Sequence, residues 1–227
     1  MQTDLTLQRP VAGPPAELLL LFHGVGSSAE DLAPLGQMLA AQRPQAWVVS
    51  VRSPHRSDLG QGWQWFSVQG VTETNRPERV ATAMPLFVQR VHDWQRQTGV
   101  GPQGTTLIGF SQGAIMALES TQQTDDTPLA RRVIAMAGRF AQAPRRAPQG
   151  TTVHLMHGEQ DGVMPIALAE AAERALRALG ADTTLERFAG LGHGIDARVA
   201  AAMAQRLLVQ TPPSPAAMER GPRTPNG

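Results

Sequence analysis

Gly109-Phe110-Ser111-Gln112-Gly113 follows the short apolar run from Thr105 to Ile108 and opens a helical pattern. That is the strand-turn-helix setting a G-x-S-x-G nucleophile elbow requires. A tight turn there forces the serine into strained backbone geometry, and the flanking glycines let the helix pass close to neighbouring strands. Ser111 would then stand at a helix N-terminus, where the backbone dipoles favour a developing oxyanion. A serine hydroxyl is a weak nucleophile and needs a base, which elbows of this kind find in the chain order serine, acid, histidine. His193, in Gly190-Leu191-Gly192-His193-Gly194, is the one histidine beyond His157 and follows the run Thr184–Phe188. Asp161 follows the end of the run Thr152–Met156, whereas Asp182 begins a strand and Asp125 and Asp126 trail the elbow helix. Asp161 alone has the address of an acid that holds His193 in the required tautomer. Two backbone N–H groups must bind the oxyanion, and their expected sources are Gln112, after the nucleophile, and Val25, in Phe22-His23-Gly24-Val25-Gly26.

Such groups need elements to hold them. Six short runs read as strands: Glu17–Phe22, Ala46–Val51, Thr105–Gly109, Arg132–Ala137, Thr152–Met156 and Thr184–Phe188. Unbroken apolar runs suit strands buried on both faces. Val80, Met84, Phe87, Val91 and Trp94 recur at helical spacing, as do Leu168, Ala172, Ala175 and Leu179, and Val199, Met203 and Leu207 behind Asp196 as a cap. The alternation predicts an α/β fold, an open, mostly parallel twisted sheet with helices on both faces and ligand chemistry at the C-terminal strand ends. Residues 1–210 are expected to form one domain. Residues 211–227, with five prolines, are expected to form a disordered tail. Arg52 to Pro77 does not fit the alternation and carries Trp63, Trp65 and Phe66. A loop that long is usually functional; its aromatics either seal the edge of the core or, with Met164, form the candidate apolar wall around a substrate, the reading its strand-end location favours.

Composition removes other chemistries. With no cysteine among its 227 residues there is no thiolate nucleophile and no disulfide framework. All 20 basic residues are arginine, so no Schiff-base lysine or P-loop lysine exists. The net charge is +1, and a pI near 9.0 reflects how little titrates between pH 8 and 12. No basic block supports nucleic-acid binding, and no apolar stretch is long enough for stable membrane insertion. The first residues lack a signal-peptide core, so a cytoplasmic location is expected.

The pieces Leu21-Phe-His-Gly-Val-Gly26, Trp65-Phe66, Gly109-Phe-Ser-Gln-Gly113, His157-Gly-x-x-Asp161 with Pro165, and Gly192-His193 together resemble the phospholipase/carboxylesterase family of α/β-hydrolases. The resemblance spans residues 18 to about 195. It implies a cofactor-free serine hydrolase without a large cap domain, acting on small-molecule carboxylic esters, with Ser111, Asp161 and His193 as triad. Acyl-protein or small-molecule thioesters and lysophospholipids are the alternative substrates. With only the aromatic wall to bury an acyl group, short to medium chains are expected. Monomer and homodimer stay open.

Competing readings are specific. Gly24-Val-Gly26-Ser-Ser-Ala29 also fits a dinucleotide fingerprint, which would make this an NADP-binding protein with Arg52 near a 2′-phosphate. That reading leaves Ser111, Asp161 and His193 without a role. A hydrolase fold used only for binding would leave the complete triad unexplained. His154 and His157 stand three apart on a strand and point to opposite faces, so no metal site is expected. His23 reads as a hydrogen-bonding support for the Val25 turn.

Overall fold

Leu18 to Phe22 are each at most 1% exposed, because this strand lies in the middle of the sheet and is covered on both faces. The computed structural model describes residues 4–124 and 127–208. Asp125, Asp126 and the expected tail at 211–227 lie outside the described residues. In chain order the elements are β1 (Leu5–Gln8), β2 (Glu17–Phe22), α1 (Ala33–Gln42), β3 (Ala46–Val51), β4 (His55–Arg56), β5 (Trp63–Gln64), α2 (Arg76–Thr98) and β6 (Thr105–Phe110). There follow α3 (Gln112–Ser120), β7 (Arg132–Met136), β8 (Thr152–Gly158), α4 (Ile166–Ala178), β9 (Thr183–Phe188) and α5 (Ala197–Leu208).

The main sheet has the order β1-β3-β2-β6-β7-β8-β9, with β1 antiparallel to β3 and every other pairing parallel. After β2 the chain steps to β3, then returns to place β6 on the other side of β2. The strand order therefore reverses between β2 and β6, and a crevice opens beyond their C-terminal ends. Alternate residues of each strand feed two apolar layers. Leu18, Leu20 and Phe22 join Phe87, Val91 and Ile115 beneath α2 and α3, while Leu19 and Leu21 join Leu35, Leu39 and Met203 beneath α1 and α5.

The helix readings hold with one shift. Asp196 caps α5 by accepting the N–H groups of Arg198 and Val199 at 2.9 and 3.0 Å. In α4 the buried face is Ala169, Ala172 and Leu176, about one position round from the expected stripe, and Leu179 lies past the helix at 40% exposure. The segment after β3 forms a hairpin of β4 with β5, tied to Ser27 by a bridge from Trp63. Among the described residues no inserted subdomain caps the C-terminal strand ends. The glycine run Gly24–Ala29 leads into a short 3-10 turn bearing Glu30 and Asp31, and α1 begins only at Ala33. Acidic side chains at that point would repel a pyrophosphate, so the dinucleotide reading loses its helix N-terminus.

Candidate active site

Ser111 lies between β6 and α3 with φ 52° and ψ −115°, one of two non-glycine residues at positive φ among those described. Its N–H ties the turn to the neighbouring strand β7 by donating to the Met136 carbonyl at 3.0 Å. Glycines make the turn passable: a Cβ on Gly113 would overlap the Phe22 carbonyl, and one on Gly109 would lie 2.5 Å from the backbone of Ala114. Gly24 is constrained less severely, since its Cβ would meet that of Ser111 at 3.1 Å.

The loops after β6, β8 and β9 bring three distant side chains together. His193 Nε2 lies 3.0 Å from Ser111 Oγ, and His193 Nδ1 lies 2.7 Å from Asp161 Oδ2. A carboxylate can only accept, so Nδ1 carries the proton and Nε2 is left to accept from the serine hydroxyl. The other Asp161 oxygen accepts the N–H groups of Val163 and Met164, each at 2.8 Å. Burial alone would raise the Asp161 carboxyl, but the Met164 and Val163 amides and the His193 ring outweigh it and hold the group below its ordinary value. Phe110 supports the other side of His193, with ring centroids 5.1 Å apart.

A phospholipase/carboxylesterase family profile matches residues 9–209. The chain belongs to that family. It is an enzyme of the carboxylesterase class. Esterase YpfH of Escherichia coli (strain K12) is 50% identical over 185 residues, covering 82% of this chain and 79% of the relative. The crystal structure of esterase PE8 matches with a TM-score of 0.78 at 30% identity, over 90% of this chain and 95% of that one. A carboxylesterase from Bacillus cereus shares the α/β-hydrolase fold, with a TM-score of 0.74 at 18% identity, over 89% of this chain and 92% of that one. No helix among the described residues is long and apolar enough to cross a membrane.

The other expected residues of this family site fall into two groups. Val25 lies in the turn after β2, and Gln112 opens α3, where its N–H has no intrahelical partner. The Val25 turn rests on His23, which is fully buried. Nδ1 of that ring pairs with the Gly24 carbonyl at 2.7 Å, and Nε2 accepts the Ser53 N–H at 3.1 Å. Those two partners fix a neutral ring, and burial pushes its pKa down.

The aromatic residues do not form one wall. Trp65 is 2% exposed and packs edge-on to Phe87 at 5.1 Å in the core, and Phe66 is buried beside it. Trp63 stands outside the core with Arg52 and Arg56 over its ring. Met164 is half-buried against the core, and its backbone is what meets Asp161.

Two side chains at the site were not legible as participants. The Gln112 carboxamide accepts the Trp65 N–H at 2.8 Å and donates to the Phe66 carbonyl at 2.8 Å, stapling the segment after β3 to the elbow. His157, two per cent exposed, donates from Nε2 to the Met164 carbonyl at 2.6 Å and lies 3.3 Å from Asp161 Oδ2. The His157-Gly-x-x-Asp161 spacing was the available signal for His157. Nothing in the sequence marks the Gln112 carboxamide, as distinct from its backbone N–H, since its partners lie 46 and 47 residues away.

Proposed function

We propose that this enzyme hydrolyses short- to medium-chain carboxylic esters through an acyl-enzyme on Ser111, with His193 as general base and Asp161 as its orienting acid. The observation that carries this reading is the continuous chain from Asp161 Oδ2 through both His193 nitrogens to Ser111 Oγ, at 2.7 and 3.0 Å. Ser111 Oγ attacks the ester carbonyl as its proton passes to His193 Nε2. The oxyanion is received by the N–H groups of Val25 and Gln112. Collapse expels the alcohol, which takes the proton from His193, and water then repeats the sequence to release the acid and free Ser111. The chain-length assignment is supported by the uncapped mouth and by exposed apolar side chains, Leu59 and Val163, on loops flanking Gly26 and Asp161. A small-molecule ester is the partner this chemistry requires.

Ser111→Ala is expected to reduce hydrolysis of p-nitrophenyl esters by about 10³-fold or more while leaving the melting temperature unchanged within a few degrees. A fluorophosphonate probe should label the wild type and not the variant. Residual activity within tenfold of wild type would remove Ser111 from this role. Rates across esters of increasing chain length, with an acyl-CoA thioester alongside, decide the acyl preference.

A further inference from the structure

Two arginines on the segment after β3 have no part in that mechanism. Arg52, directly after β3, places its guanidinium carbon 3.7 Å from the centroid of the Trp63 ring, and Arg56 places its own at 4.1 Å. Two like charges thus converge on one indole. Among the described residues neither guanidinium has a carboxylate within 4 Å, and the acids nearby are engaged elsewhere. Asp31 accepts from Ser27 and Ser28, and Asp58 accepts from Ser67. Asp4 takes the Arg52 backbone N–H, and its second oxygen accepts from Trp94 and faces Arg90. Arg56 Nη1 donates to the Gln61 carbonyl at 3.2 Å, the remaining polar contact of that head.

Stacking occupies the flat face of a guanidinium and leaves its in-plane N–H edge available, the edge that forks a carboxylate or phosphate. The residue that carries the pair is tied by its backbone to the turn after β2. Trp63 donates its N–H to the Ser27 carbonyl at 2.8 Å and accepts the Gly26 N–H at 3.0 Å, so it is bound to the turn that carries Val25. Ser53, next to Arg52, is held by His23 at the base of the same turn. The Arg52 charge is felt at that imidazole, where it adds to burial in keeping the ring neutral.

We propose that Arg52 and Arg56, presented on Trp63, form a subsite for an oxyanion group carried by the substrate, so that esters bearing a carboxylate or phosphate are preferred over neutral esters of equal length. The inference rests on the ester-hydrolase reading and names a substrate class for it. The group can sit on either side of the scissile bond. The test therefore compares a p-nitrophenyl hemiglutarate, charged on the acyl side, and 3-acetoxypropyl phosphate, charged on the alcohol, each against its neutral methyl-ester counterpart.

The quantity to read is the ratio of kcat/KM for charged over neutral ester. Arg52→Gln together with Arg56→Gln should lower that ratio about 10- to 100-fold for whichever arm uses the subsite, the range expected for charge-assisted hydrogen bonds. Arg52→Lys with Arg56→Lys should recover part of it, and the wild-type ratio should shrink as salt is raised. A ratio unchanged in the double glutamine variant, or indifferent to salt in the wild type, overturns the subsite. Should the double variant fold poorly, binding of the hemiglutarate to Ser111→Ala enzyme, with and without Arg52→Gln alone, gives the same answer without turnover. Neutral-ester hydrolysis that disappears in Ser111→Ala while the ratio is flat defeats only the subsite. Failure of wild type on every ester defeats the hydrolase reading and the subsite with it.

Discussion

Asp161 gathers two backbone amides on one oxygen and faces two imidazoles with the other, so the proposed triad and its supports can be separated by substitution. Asp161→Asn should lower kcat by roughly 10³- to 10⁴-fold, because an amide at Oδ2 favours the wrong tautomer of His193. His157→Phe should be milder. Losing the donor that ties the Met164 carbonyl beside Asp161 is expected to cost about tenfold in kcat, with KM nearly unchanged and partial rescue by His157→Gln. Asp182→Asn should leave turnover intact, since its carboxylate meets the Thr152 hydroxyl at the N-terminal start of β8. Steady-state kinetics on one ester distinguish all four variants. At this scale the meeting of Ser111, His193 and Asp161 was legible because the proposed acyl transfer restricts the residue types and the strand-end loops that can supply them. The direction of Trp65 was not, since an aromatic on a long segment fits a core and a cleft equally well from sequence.

Between elements, burial sets the energetics. Gln112 is buried and serves two backbone groups of the segment after β3, so Gln112→Ala would strand both. A loss of about 1–3 kcal/mol is expected, read as a lower midpoint in urea. His154 on β8 is a second case. Burial first, then the charges of Arg206 and Arg132, push its pKa down from 6.5 to about 4, against a smaller opposing pull from Asp182, and its ring meets Thr184 Oγ1 at 2.8 Å. The folded chain therefore refuses a proton that the unfolded chain accepts. Stability held above pH 6.5 should decline as the pH falls towards 4, by about 3 kcal/mol from this group. His154→Gln should flatten that part of the curve of urea midpoint against pH, and an unchanged slope would assign the dependence to other groups. The rotated face of α4 has a related origin: Ala175 and Leu179 are as apolar as Ala169 and Leu176, and only docking onto β8 and β9 selects between them.

For the whole molecule, strands buried on both faces left long apolar runs, and those runs made the sheet and its helical layers readable from the sequence. β1 escaped because it is a four-residue edge strand, half-buried throughout, with no apolar run to announce it. The pairing order, by contrast, has a consequence in time. Ser111 and His193 are 82 residues apart and Asp161 and His193 are 32 apart, and each group rides on a different strand of a mostly parallel sheet. Parallel pairings close long loops and form late relative to local helices. No fragment ending before β9 carries both hydrogen-bonded partners of the proposed triad, and a chain emerging from its N-terminus has the proposed nucleophile well before the proposed base. Catalytic competence should therefore arrive last in refolding, behind the recovery of helical signal, so the enzyme stays chemically silent until its final strand has docked.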